Sequence, residues 1–315
     1  MLVAYPPAQS GTAKLADSSW VDLIDPTSAE RAAFEDTFGL RVPARDELGE
    51  IEATSRLQVE NGALYMTAPL IFASSADERW ISSPTGFVLS NRVLMTIRSS
   101  QSAAFDCAAK ELWGKAFKPG DAFATILEEL VGHLADLLEA AGRDLDETSH
   151  VIFSQDQARH LSHETAMLRQ LMIRTGRTSE RMSRIHYTLV CLDRMAKYTC
   201  ERSRDWLPPE IVQRLQAVSS DVASLVQFSE GLVSRVQLLQ DAATGIINID
   251  QNDVMKVLTI ASVVGIPPVL VVGIYGMNFK YMPEYDWAWG YPYAWALIII
   301  TALIPLLWFK WKDWI

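Results

Sequence analysis

Two stretches near the end of the chain contain no charged side chain: Val257 to Tyr275 and Tyr291 to Phe309. A helix needs roughly 20 mostly apolar residues to cross the hydrocarbon core of a bilayer. Buried helices of soluble domains are usually shorter and interrupted by polar groups, so these runs predict two membrane spans, over about 254–275 and 291–309. Their flanks agree. Tyr285, Trp287, Trp289, Tyr291, Tyr293 and Trp295 crowd one end of the second run, and Trp308, Trp311 and Trp314 the other. Amphipathic rings prefer both membrane–water interfaces. Lys256 precedes the first run, Lys310 and Lys312 follow the second, and the connecting loop sets Lys280 against Glu284 and Asp286. The positive-inside bias then puts both outer flanks in the cytoplasm and the loop outside. The opening Met1-Leu2-Val3 lacks the basic and apolar regions of a signal peptide, so the part ahead of the spans is expected to stay in the cytoplasm.

Charge divides the chain at the same place. Residues 251–315 hold four basic and four acidic side chains, so the net charge of −10 lies wholly in the first 250 residues. An acidic chain lacks the basic face that nucleic acid requires but suits cations. Three unpaired-looking cysteines, Cys107, Cys191 and Cys200, give neither a disulfide framework nor a zinc knuckle and fit a reducing compartment.

The soluble part changes character near Phe117-Lys118-Pro119-Gly120-Asp121. Before it, Ser19–Ile24, Ala63–Ile71, Gly86–Ser90 and Val93–Ile97 read as strands, the last two joined at Asn91-Arg92 as a hairpin. Asp25 or Thr27 caps a helix with Glu30 in its first turn. These signals predict an α/β sandwich over 1–118. Beyond it lies a helical region and stalk over 119–253, then a membrane domain over 254–315. One helical repeat runs from Ile126 and stops at Gly142; a second covers roughly 150–205. From Pro209, Ile211, Leu215, Val218, Val222, Leu225, Ser229, Leu232, Val236 and Leu239 step by three or four into the first span. One helix from Pro209 to Tyr275 is favoured over two broken near Gly245, because a single glycine costs only about 1 kcal/mol.

At the end of the first span stands Gly273-Ile274-Tyr275-Gly276-Met277-Asn278-Phe279, followed by Met282-Pro283-Glu284. With only one further span after it, this arrangement resembles the CorA magnesium transporters. Asn252 to Ile260, Trp287 to Pro292 and Trp20 to Thr27 are similar to the family's approaches to its two spans and to the opening of its soluble domain. The resemblance implies an α+β membrane protein forming a funnel-shaped homopentamer in a bacterial-type inner membrane, with both termini cytoplasmic. Five first spans would line one pore for passive Mg²⁺ influx, driven by the membrane potential and gated by cytoplasmic Mg²⁺. Zn²⁺, Co²⁺ or Ni²⁺ transport, as in a related branch, is the rival within the superfamily, and a non-conducting membrane-anchored metal sensor is the rival outside it.

The residues support this in their own terms. Asn252, Met255, Leu258 or Thr259, Ser262, Ile266, Val269 and Gly273 share one face of the first span, either as pore lining or as helix-packing surface. Mg²⁺ gives up its water reluctantly, so a selective mouth binds the hydrated ion, and a ring of Asn278 amides accepts hydrogen bonds from that water. Gly276 permits a sharp turn and Met277 packs against it, forming the selectivity motif with Asn278. Glu284 and Asp286 either concentrate cations at the mouth or simply solvate the loop. Met255 and Leu258 match the family's hydrophobic constriction, whereas Val269 replaces a threonine that members often carry, and Pro267-Pro268 invites a kink. The best regulatory carboxylate is Asp241. The acidic run Glu128, Glu129, Asp136, Glu139, Asp144, Asp146 and Glu147 reads as an exposed face with a regulatory alternative. His160 and His163 with Glu164 have the spacing of a zinc site, but their basic neighbours favour a solvated face. No nucleophile triad or phosphate cradle emerges, so an enzyme is not expected.

Overall fold

Alternating apolar and polar positions in the first hundred residues build one mixed sheet. The computed structural model describes residues 1–5, 15–49, 56–73, 80–153, 165–278, 280–312 and 314. Its strands are β1 (Leu2–Tyr5), β2 (Trp20–Ile24), β3 (Leu57–Glu60), β4 (Ala63–Ala73), β5 (Trp80–Leu89) and β6 (Leu94–Arg98), ordered β1-β2-β6-β5-β4-β3. β2 and β6 are parallel, in register from Trp20 opposite Leu94 to Ile24 opposite Arg98; the other pairings are antiparallel. β5 and β6 form the expected hairpin. Its turn is held by Ser90, whose hydroxyl accepts from the Val93 N–H and donates to the Val93 carbonyl.

Each face of the sheet carries helices, as period-two side-chain alternation requires. Val21, Leu23, Met95 and Ile97 face one way, packing with Phe34 of helix α1 (Ser28–Phe38) and Leu48 of α2 (Arg45–Leu48). Thr27 caps α1 in a capping box: its hydroxyl accepts from the Glu30 N–H while Glu30 accepts from the Thr27 N–H. On the other face, Phe87 packs against Phe105 of α3 (Ala103–Leu112) and edge-on against Phe123 of α4 (Pro119–Phe153), at 6.2 and 6.0 Å between centroids. There Asp22 and Arg98 form a buried ion pair at 2.8 Å. Asp22 also accepts from Thr96, which accepts from the Trp20 indole, and Arg98 donates to the Ser100 carbonyl. The α/β expectation is met, with three layers around one sheet.

α4 does not stop at Gly142. A Cβ there would meet only Leu232 and Phe228 at ordinary contact distance, so the missing side chain marks packing against the helix that carries those two residues rather than a terminus. The next helix is α5 (Thr165–Arg202); the sequence assignments at 154–164, including His160, His163 and Glu164, lie outside the described residues. α6 runs unbroken from Pro209 to Tyr275, through Gly245 and both prolines, and α7 covers Gly290–Trp311. Of the stripe, Ile211, Leu215, Val218, Val222, Ser229, Leu232, Val236 and Leu239 are buried as the spacing predicts, while Leu225 is half-buried.

The chain divides into two compact units, Met1–Val151 with Leu171–Gln240, and Ile152–Gln170 with Asp241–Ile315. In the first, three arginines tie α4 to its neighbours through four ion pairs: Arg214 to Glu128, Arg174 to both Asp144 and Glu147, and Arg235 to Asp146. Hydrogen bonds donated to Glu147 and Asp144 hold the Arg174 guanidinium above its ordinary pKa, as the bonds to Glu128 do for Arg214. Four carboxylates of the acidic run thus pair with three arginines while their side chains stay 39–66% exposed, in keeping with the exposed-face reading.

A candidate ion-conducting site

The second unit is built from two helices long and apolar enough to cross a membrane, and 6% of the most apolar stretch of each is buried. The core helix of a soluble protein would be mostly buried. In α6, Met255 and Leu258 are each 58% exposed, Ile266 56% and Val269 70%, and Asn252, Thr259 and Gly273 are exposed as well. Ser262 is half-buried. The expected stripe is therefore exposed along its length, as are Val257, Leu270 and Ile274 elsewhere around the same helix. Its two hydroxyls turn back on the helix: Thr259 donates to the Met255 carbonyl at 2.7 Å and Ser262 to the Leu258 carbonyl at 2.9 Å. Their lone pairs remain as acceptors toward the open side. Lys256, beside the stripe, pairs with Asp253 at 2.8 Å.

The helix ends at the motif. Gly276 N–H donates to the Val272 carbonyl at 2.9 Å, the last full-turn bond, and Met277 N–H donates to the Ile274 carbonyl at 3.2 Å, a tighter one. A helix commonly closes on such a shortened turn. Gly276 does not adopt a left-handed conformation; a Cβ there would stand 3.2 Å from the Val272 carbonyl oxygen, so the constraint is crowding against the preceding turn rather than backbone handedness. Met277 is half exposed and Asn278 exposed, with no further helical bond to restrain the amide. An amide at the free end of a helix, facing water, suits exchangeable contact with a hydrated cation.

The loop returns through a short 3₁₀ turn, Pro283–Asp286, and enters α7 at Gly290. Gly290 N–H donates to the Trp287 carbonyl at 2.9 Å, and a Cβ on Gly290 would fall 2.3 Å from the Glu284 carbonyl oxygen. Only glycine fits. Glu284 is half-buried beneath this turn, whereas Asp286 is exposed. Trp287 packs on Tyr293 at 5.5 Å, and at the far end Lys312 lies 5.8 Å over Trp308.

Residues 16–311 match the family described as CorA-like Mg2+ transporter protein. The chain belongs to this family. It is 32% identical to the magnesium transport protein CorA of Yersinia pseudotuberculosis over 304 residues, covering 96% of this chain and 93% of that protein. With the CorA magnesium transport protein of Escherichia coli K12 it shares 30% identity over the same coverage. The complete structure of the CorA magnesium transporter from Methanocaldococcus jannaschii superposes with a TM-score of 0.77 at 18% identity, covering 97% of this chain and 94% of that one, and so shares the fold.

Within this CorA-like chain the structure puts the stripe on one continuous helix and the motif in the turn that follows its end. It leaves Asp241 exposed on α6, away from any cluster: no group of three or more His, Cys, Asp or Glu side chains able to hold a metal exists among the described residues. Sequence reasoning missed Gly290, although a glycine between Trp289 and Tyr291 in a belt of rings is the sort of signal that marks close backbone approach.

Proposed function

We propose that this chain is a Mg²⁺ transporter of the CorA type, moving the ion passively inward and gated by cytoplasmic Mg²⁺. The observation that carries it is the Gly276-Met277-Asn278 turn closing the open stripe of α6 in a chain that matches the family from residue 16 to 311. In this reading the chain has a cytoplasmic α/β domain over 1–118, a helical region and stalk over 119–253 and a membrane domain over 254–315. It sits in an inner (plasma) membrane with both termini cytoplasmic. Five copies face their stripes inward. Asn278 contacts the ion's hydration water at the outer mouth, and Glu284 and Asp286 raise the local cation concentration. Met255 and Leu258 form an apolar neck that closes by excluding water, with Ile266 and Val269 as further apolar lining. A 100 mV potential contributes about 2.3 kcal/mol per charge, twice that for a divalent ion, so influx needs no ATP.

Cytoplasmic Mg²⁺ acts through carboxylates such as Asp241 brought together from neighbouring subunits. One carboxylate cannot supply the oxygen set that Mg²⁺ takes, but several copies around an axis with retained water can. The test is reconstitution in liposomes with an imposed potential and fluorescent reporters for Mg²⁺, Zn²⁺, Co²⁺ and Ni²⁺. Potential-dependent Mg²⁺ entry, suppressed by Mg²⁺ inside, is expected. Zn²⁺ entry without Mg²⁺ entry assigns the chain to the rival metal branch, and absence of any flux makes it a sensor.

A further inference from the structure

Behind the motif turn, the end of α6, the loop and the start of α7 enclose a cavity of about 640 Å³. That is within the range of roughly 300–1,000 Å³ typical of small-molecule sites. Its walls are chemically lopsided. Tyr275, Trp287, Tyr291 and Trp295 bring aromatic rings, Met282 a thioether, and Glu284 is the single charged group among the lining residues. No lysine or arginine is among the described lining residues, so a phosphate or carboxylate would have to stay at the open rim rather than among the rings. One carboxylate among rings is also a poor site for a small hard cation, which takes several oxygen ligands. Aromatic faces beside an anion are, by contrast, the environment that attracts an organic ammonium group.

The cavity does not end in water alone. Its lining continues onto Val272 of α6 and Ile298 of α7. Val272 is more than half exposed, as are Ile299 and Ile300 next along α7. Those apolar surfaces belong to the two candidate spans, while the rings lie in the aromatic belt, at headgroup depth. A molecule with an ammonium end and an acyl end matches both parts.

We propose that this cavity binds the ammonium headgroup of a zwitterionic phospholipid, with Glu284 as counter-charge, Trp287, Tyr291 and Trp295 as the ring cage, and the acyl chains lying along Val272 and Ile298. The site rests on α6 and α7 being membrane spans and not on which ion is carried, so lipid retention and ion flux succeed or fail separately. A lipid held there buttresses the turn that presents Asn278, because Gly276 and Glu284 line the same space.

The full-length protein is reconstituted in vesicles of equal phosphatidylethanolamine and phosphatidylglycerol, extracted in mild detergent, and the retained lipid is identified by native mass spectrometry. Enrichment of phosphatidylethanolamine by about thirtyfold is expected, the discrimination that one desolvated cation–π contact provides. Glu284→Gln and Trp287→Leu should each reduce it, and Trp311→Leu, at the opposite end of α7, should not. Replacing the headgroup by its N-acylated form, which removes the positive charge, should abolish enrichment in the wild-type protein, a comparison independent of whether any variant folds. Equal retention of the two lipids, no retained lipid because a second copy fills the cavity, or a preference that survives both Glu284→Gln and N-acylation overturns the proposal.

Discussion

Asp22 illustrates how much of this chain's stability hangs on single side chains. It is 1% exposed, and its carboxylate is met by the Arg98 guanidinium, at 2.8 and 3.1 Å, and the Thr96 hydroxyl at 2.6 Å. Removing one partner of such a pair leaves a buried charge uncompensated. Asp22→Ala is expected to destabilise the soluble part by about 3–5 kcal/mol, read as a large drop in the thermal midpoint of the detergent-solubilised protein. Asp22→Leu combined with Arg98→Met should cost less than either substitution alone, since no charge is stranded. Asn278 is the opposite case. It is exposed just beyond the end of α6, so Asn278→Ala leaves no cavity and should change stability by no more than about 0.5 kcal/mol, with little shift in the thermal midpoint. Selective Mg²⁺ entry should nevertheless disappear, and normal entry in a correctly inserted variant would place selection elsewhere on the stripe.

At the scale of elements, α4 offers a stabilising test. Gly142 sits inside this helix, where a Cβ would lie 3.7 Å from Leu232 Cδ2, an ordinary contact. Gly142→Ala removes a helix penalty of roughly 0.5–1 kcal/mol without a clash, so the thermal midpoint should rise. A fall would mean that Leu232 cannot adjust. The same glycine shows where sequence reading misleads: an isolated Gly near the end of a periodic stretch looks like a cap, and only the neighbouring helix reveals it as a packing position. The long elements were legible because their signals are long. The uncharged runs predicted α7 and the apolar end of α6, and the stripe from Ile211 to Leu239 predicted its buried face. β1 and β3 were not legible, since four residues hold too little periodicity, and they pair at the two edges of the sheet. α3 was missed because Ala103–Leu112 mixes small and polar residues whose burial is set by the sheet above Phe105. The Asp22–Arg98 pair was invisible for another reason: charged residues alternating in strands look like a solvated face until the parallel β2–β6 register sets them one step apart.

At the scale of the whole molecule, the proposed pore and the proposed sensor make separable predictions. Met255 and Leu258 are exposed in one chain, so polar substitution costs the monomer little, while the proposed neck depends on five apolar copies. Met255→Ser or Leu258→Ser should conduct at high internal Mg²⁺, with at least a severalfold rise in residual flux, because a wetted neck no longer excludes hydrated ions. Asp241→Ala should only raise the Mg²⁺ concentration needed for inhibition. The measurement is vesicle flux at low and high internal Mg²⁺ in each variant. Unchanged inhibition in both serine variants would move the closure to Ile266 and Val269. The motif was readable in advance, but its setting was not: that Asp241 stands apart from other carboxylates, and that four members of the acidic run are already bound to arginines, are facts of tertiary packing.

The unbroken course of α6 gives the molecule a phase as well as a length. Asp241 and Met255 lie on the same rigid screw, with no break at Gly245 between them. At about 3.6 residues per turn their separation is close to four whole turns, so carboxylate and neck residue point almost the same way. Any twist at one is delivered to the other with its direction preserved. Spacing then matters more than local chemistry. One alanine inserted after Gly245 should rotate the neck by about 100° relative to Asp241 and uncouple inhibition from conduction. Four inserted alanines, returning to within about 40° of the original heading, should restore much of the coupling in the same flux assay. Clocking, rather than contact, would then connect the ion outside the pore to the ring within it.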